Sequence, residues 1–153
     1  MGFCNLSICV ARPEDTQETL AAKVEIATII GTIQSLATNY KGLRDGWKQN
    51  ADEERLLGVD VTGQMDCPAF RNPDTMQYLK QVALETNKKY AALLGINESA
   101  AVTCTKPNGN SSVLLNSGSG LHAWHSEYYI RNIRLGANDP VLKVLQAHGV
   151  NAN

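Results

Sequence analysis

The sequence predicts an α/β fold. Three observations carry this expectation: two long segments have apolar residues at helical spacing, a short apolar run of strand type follows each, and Gly-, Asn- or Pro-containing breaks separate them. The 153 residues fit one ordinary domain, expected to span 1–153. With 43% hydrophobic and 19% charged residues, the composition is that of a chain with a core rather than of a disordered one.

The first helix is expected over 16–39, because Ile26, Ile30, Ile33 and Ala37 recur at i, i+4, i+7 and i+11. Leu20, Val24 and Ala27 add a second apolar row, and so wide an arc predicts packing on much of the helix circumference. Asp15 or Thr16 can cap its start, and Asn39-Tyr40-Lys41-Gly42 can end it. The stretch 43–55 reads as a polar connector holding one short helix around Trp47. Leu56-Leu57-Gly58-Val59-Asp60-Val61, closed by Thr62-Gly63, has the length and content of a buried strand.

Asn72-Pro73-Asp74 opens a second long helix, with Leu79, Ala83, Thr86, Tyr90 and Leu93 on one face and Gly95 at the left-handed C-cap. A second strand is expected over 100–105, ending at Lys106-Pro107. From Asn108 to Ser119 the composition turns to Asn, Gly and Ser around Val113-Leu114-Leu115, which reads as a loop, one helical turn and another loop. Residues 128–135 alternate as a third strand, and Asp139-Pro140 starts a last helix that runs to about His148.

Fourteen basic side chains against fifteen acidic ones give a net charge of -1 without a basic block, which argues against nucleic acid as a partner. No apolar run approaches the ~20 residues of a membrane span and no signal peptide is recognisable, so the expected location is the cytoplasm, with no membrane partner. Cys4, Cys9, Cys67 and Cys104 form no CxxC pair and are expected as reduced thiols, Cys104 in the core. His122, His125 and His148 lack a ligand pattern, so no metal site is expected.

A strand that delivers Lys106-Pro107 into a Gly/Asn/Ser loop that then turns helical can cradle an anion. Small residues let the backbone approach an oxygen, and successive N–H groups and hydroxyls supply donors. The same composition also suits an ordinary surface turn. Neither a Walker A loop nor a GxGxxG fingerprint is present.

Three ordered blocks sharpen the choice: Lys106-Pro107-Asn108-Gly109-Asn110-Ser111-Ser112, Ser119-Gly120-Leu121-His122, and Tyr128-Tyr129-Ile130-Arg131-Asn132-Ile133-Arg134. Together they resemble the adenosylcobalamin-dependent (class II) ribonucleotide reductases. Upstream, Phe3-Cys4-Asn5-Leu6, Glu54-Arg55-Leu56-Leu57-Gly58-Val59 and Thr62-Gly63-Gln64-Met65-Asp66 resemble that family's CNL, ERxxGV and TGxMD segments, so the likeness covers nearly the whole chain.

The resemblance implies part of a ten-stranded α/β barrel, incomplete in this chain, from an enzyme that replaces the ribose 2'-hydroxyl of a ribonucleoside di- or triphosphate with hydrogen by thiyl-radical chemistry. It implies that Pro107, Asn108, Gly109, Asn110, Ser111 and Ser112 bind the substrate phosphates, with His122 and Arg131 supporting that loop. It implies that Cys4 is one of two redox cysteines that give two electrons to the substrate and close to a disulfide, later reopened by a thiol reductant. The family's thiyl cysteine lies in an NPCGE-type segment upstream of CNL. A second polypeptide supplying the N-terminal barrel half with that cysteine is therefore an expected partner, and adenosylcobalamin is expected to bind mainly outside this chain. Asn108, Asn110 and Ala123 stand where the family often has Ser, Thr and Pro. The alternative is a non-catalytic nucleotide-phosphate-binding or regulatory module derived from the same barrel.

Overall fold

Two parallel strands and the helix that joins them form the centre of the structure, a computed structural model that describes residues 2–130 and 132–150. Strand β1 (Asn5–Val10) pairs in parallel with β2 (Leu57–Thr62), in register from Asn5 opposite Leu57 to Val10 opposite Thr62. A parallel pair needs a crossover, supplied here by α1 (Gln17–Gln34) and the shorter α2 (Asp45–Glu54). A reciprocal capping box between Thr16 and Thr19 fixes the start of α1.

One face of α1 packs against both strands and α3 (Pro73–Leu94), burying Leu20, Val24 and Ala27 with Val59, Val61, Leu79 and Ala83 in a shared core. Gly31 permits the close approach, since a Cβ there would lie 3.1 Å from Leu57 and 3.3 Å from the Ser7 hydroxyl. The Ile26, Ile30 and Ile33 row instead faces outward at 59%, 55% and 51% exposure, so the expected packing on much of the circumference does not occur. Periodicity identifies apolar faces, but only a packed neighbour decides which of them is covered. α1 also ends at Gln34, earlier than expected, where the Ser35 N–H closes the last turn on the Gly31 carbonyl and the Ser35 hydroxyl bonds the Thr32 carbonyl.

α3 begins as expected, with the Asn72 side chain accepting from the Asp74 N–H and Pro73 in the first turn, and ends at Gly95 with φ 67°. Its buried face starts on Thr75, Leu79, Ala83 and Thr86 but continues through Asn87 and Ala91, leaving Leu93 70% exposed. Asn87 ties three elements together. Its Nδ2 donates to Thr32 Oγ1 of α1 (3.1 Å) and to Ser99 Oγ (2.9 Å), and its Oδ1 accepts from the Ser99 N–H (2.9 Å).

The expected ten-stranded barrel, complete or partial, is not formed. Helices take 47% of the structure and strands 9%, and the sheet is a small open pair. Closure requires every strand to be paired on both edges, which two strands cannot provide. The strand expected over 100–105 contributes a single parallel bridge, Thr103 to Val59. The Leu57 and Val59 N–H groups, two residues apart, donate to the Ala101 and Val102 carbonyls, one residue apart, and this slip breaks the ladder. Over 128–135 no strand forms among the described residues, and Tyr128, Ile130 and Ile133 are 83%, 93% and 69% exposed. Alternation without a neighbouring edge to pair with does not make a strand. The final helix, α5 (Pro140–Ala147), is capped by Asp139 as expected. No described helix is long and apolar enough to cross a membrane.

The Asn87 network generates a stability prediction. Asn87→Ala removes three hydrogen bonds at a buried junction and should lower unfolding free energy by roughly 2–3 kcal/mol. Urea unfolding with an unchanged m-value would read this as a drop in midpoint.

Candidate functional site

The loop 106–120 lies across the carboxyl ends of β1, β2 and the 101–105 segment, where open parallel sheets place their ligands. Each of these three ends holds it. After β1, Arg12 donates from Nη1 to the Asn116 carbonyl (2.7 Å) and from Nη2 to the Leu115 carbonyl (2.6 Å). After β2, the Gly63 and Gln64 N–H groups donate to the Gly118 and Gly120 carbonyls (2.9 and 3.1 Å). The buried Thr62 hydroxyl donates to the Gly118 carbonyl and accepts from the Gly120 N–H, and Asp66 Oδ2 accepts from the Gly118 N–H at 2.6 Å.

The two Gly/Asn/Ser stretches also pack on each other. Gly120 adopts φ 59°, and a Cβ there would lie 2.0 Å from the Lys106 carbonyl oxygen, so only glycine fits this crossing. The Ser119 hydroxyl donates to the Pro107 carbonyl. Asn108, in the left-handed region with φ 48°, turns the chain into the short helix α4 (Gly109–Leu114). The expected helical turn thus begins earlier, at Gly109.

Gly109, Asn110 and Ser111 lead α4, and their N–H groups have no carbonyl within the helix to bond. Gly109 and Asn110 are exposed beside an open cleft of about 1080 Å³, bounded also by Ser117, Ser119, Trp124 and Tyr129. Ser112 is 3% exposed; its N–H donates to the Asn108 carbonyl and its hydroxyl to the Gly109 carbonyl. Its hydroxyl therefore holds the turn together, whereas the half-buried Ser111 and exposed Asn110 make no side-chain hydrogen bond among the described residues. His122 is exposed and joins the turn through its backbone N–H to the Ser119 carbonyl. Arg131 lies outside the described residues.

Cys4 is exposed one residue before β1. Phe3 anchors this entry through ring contacts with Tyr40 (4.7 Å) and Trp47 (4.9 Å). Burial raises the Cys4 thiol pKa and the Lys106 charge pulls it back, so the thiol and the loop's lysine share one electrostatic neighbourhood. Cys104, expected in the core, is only half-buried. Its sulfur and that of Cys4 lie 3.1 and 2.9 Å from the position a Gly58 Cβ would take. They approach β2 from opposite edges, however, so two strand spacings of roughly 4.8 Å hold their backbones too far apart for a disulfide without backbone movement. Cys9 and Cys67 are buried, and burial pushes the Cys9 thiol up to about 12.

Beneath the loop, Asp60 of β2 is 2% exposed and Asn108 6%. Asn108 Nδ2 donates to Asp60 Oδ2 at 2.5 Å. Sequence reasoning assigned no role to Arg12, Asp60, Thr62 or Asp66. Of these only Thr62 and Asp66 left a signal, as part of the Thr62-Gly63-Gln64-Met65-Asp66 block. Among the described residues no cluster of three or more His, Cys, Asp or Glu side chains could hold a metal ion.

A donor-rich loop across parallel strand ends defines a candidate anion-binding site, and the comparisons with known proteins point to one family. Over 138 residues, 89% of this chain, it is 34% identical to the adenosylcobalamin-dependent ribonucleoside-triphosphate reductase of Lactobacillus leichmannii. The reductases of the same description from Lacticaseibacillus paracasei and Lactobacillus acidophilus are 32% and 34% identical over 79% of the chain. The chain covers 18%, 17% and 17% of these relatives, so it corresponds to under a fifth of their length. No family model matches the chain, and no solved structure matches it. The chain is thus similar at the family level to these reductases, which supports an oxidoreductase lineage.

The neighbourhood of Cys4 yields the next prediction. Lys106→Gln removes a charge that lowers the thiol pKa, so less thiolate is present at any given pH below it. Alkylation of Cys4 by iodoacetamide at neutral pH should slow, with its rate profile moved to higher pH. An unchanged profile would show that Lys106 does not act on this thiol.

Proposed function

We propose that this chain is the substrate-phosphate-binding portion of a ribonucleotide reductase, and that it also contributes one redox thiol. In this reading the N–H groups of Gly109, Asn110 and Ser111 and the side chains of Asn110 and Ser111 take the phosphate oxygens of a ribonucleotide. Pro107, Asn108 and Ser112 shape the turn, and His122 and Arg131 support the adjoining segment. The observation that carries the reading is the leading edge of α4, which presents Gly109 and Asn110 beside the cleft, within the residues that resemble the family's phosphate loop.

Cys4 serves as one of two thiols that together give two electrons and two protons as the 2'-hydroxyl leaves as water, ending in a disulfide. The second thiol, the thiyl-radical cysteine and the thiol reductant's docking site belong to protein beyond these residues. So does adenosylcobalamin, which the relatives' name implies. The lining of the cleft beside α4 combines small polar residues with Val113, Ala123, Trp124 and Tyr129 and has no feature particular to a corrin. The rival reading, a nucleotide-phosphate-binding module without redox chemistry, keeps the loop and dispenses with Cys4.

Calorimetry tests the loop that both readings share, and turnover separates them. The full chain should bind a ribonucleoside triphosphate and not the corresponding nucleoside. Asn110→Ala with Ser111→Ala should weaken binding about tenfold, the effect of losing roughly 1.5 kcal/mol of charge-assisted hydrogen bonding. Equal affinity for nucleoside and triphosphate would remove the phosphate-loop reading. Combining the chain with the remainder of a related reductase should restore turnover that Cys4→Ser abolishes; full turnover with Cys4→Ser would favour the binding module.

A further inference from the structure

Under the loop, the Asp60–Asn108 pair contains two buried oxygens with no hydrogen-bond partner, Asp60 Oδ1 and Asn108 Oδ1. An unsatisfied buried acceptor is costly, and here two of them belong to side chains already joined by one hydrogen bond. Both atoms are acceptors when Asp60 is ionised, so they cannot satisfy one another. A single proton on Asp60 Oδ1 changes this. The carboxylic acid then donates to Asn108 Oδ1 while Asn108 Nδ2 continues to donate to Asp60 Oδ2, the two-bond ring of an acid–amide pair.

We propose that Asp60 is held as a neutral carboxylic acid sharing its proton with Asn108, and that this pair is the positioning device that fixes the head of the 108–112 loop. Asn108 has φ 48° and begins α4, so two hydrogen bonds to a buried strand residue hold the backbone turn from which the helix starts. A neutral Asp60 also spares an anion above it the repulsion of a buried carboxylate.

Burial favours the proton, and the polar surroundings oppose it. Burial pushes the Asp60 carboxyl above its ordinary range. The hydrogen bond from Asn108, the backbone N–H groups of Val61 and Lys106 and the charge of Lys106 oppose this. The thiols of Cys104, on the neighbouring segment, and Cys9, on β1, also face Asp60. Because the folded protein binds this proton more tightly than the unfolded chain, the stabilisation is complete below the unfolded-state pKa. It is lost as pH rises through the raised folded-state value.

The assignment of the proton stands apart from the phosphate-loop reading; its consequence for binding rests on that reading. Infrared spectra of the full chain should show a protonated-carboxyl C=O band that persists above the pH at which exposed carboxyls have lost theirs, and that disappears in Asp60→Asn and, in the wild type, as pH rises further. Asp60→Asn places an N–H donor where the O–H stood, so it should keep wild-type stability while losing the decline at high pH. Asp60→Leu should be less stable than both. Absence of the band, with loss of an ionised-carboxylate band in Asp60→Asn, would overturn the proposal and leave the two oxygens to a bound cation or water. If Asp60→Asn fails to fold, the pH titration of the wild-type band alone decides. With inorganic tripolyphosphate as probe, Asp60→Asn should bind as the wild type does and Asp60→Leu more weakly. The band without any tripolyphosphate binding would confirm the acid–amide pair and reject the phosphate-loop reading.

Discussion

The arrangement depends on one constraint: three parallel backbone segments end along one edge, and the loop 106–120 must satisfy the polar groups found there. Arg12, Gly63, Gln64 and Thr62 all direct donors at carbonyls of that loop. Buried main-chain groups at strand ends need such partners, so the loop is a fixed lid on the sheet rather than a surface turn. Its composition follows from this. Gly120 is required where the two stretches cross, and Asn108 tolerates the left-handed turn that launches α4.

Electrostatics and geometry meet at the same edge. Lys106 influences both the Cys4 thiol and the Asp60 carboxyl, and Cys104 senses both of those groups. The loop's anchor, its lysine and the Cys4 thiol are therefore parts of one neighbourhood although they are far apart in sequence.

Local chemistry was legible in the sequence and non-local pairing was not. The caps at Thr16, Asn72, Gly95 and Asp139 follow from residue type and position, and all four are found. The strand β1 went unrecognised because its Asn5 and Ser7 break the apolar run, and its order comes from pairing with β2 fifty residues on. The ten-stranded barrel was inferred from resemblance, yet a likeness in motifs says nothing about how many strands a segment can pair by itself. At the site, the Gly/Asn/Ser composition exposed the loop itself. Its supports at Arg12, Asp60, Thr62 and Asp66 stayed hidden, since a lone polar residue beside a strand has no periodicity to reveal its partner.

The most direct test of the account follows backbone amides by NMR while pyrophosphate is titrated into the full chain. The account predicts that the N–H resonances of Gly109, Asn110 and Ser111 shift first and furthest, with smaller changes at Gly118 and Gly120. Shifts confined to other surfaces, or none at saturating pyrophosphate, would contradict it.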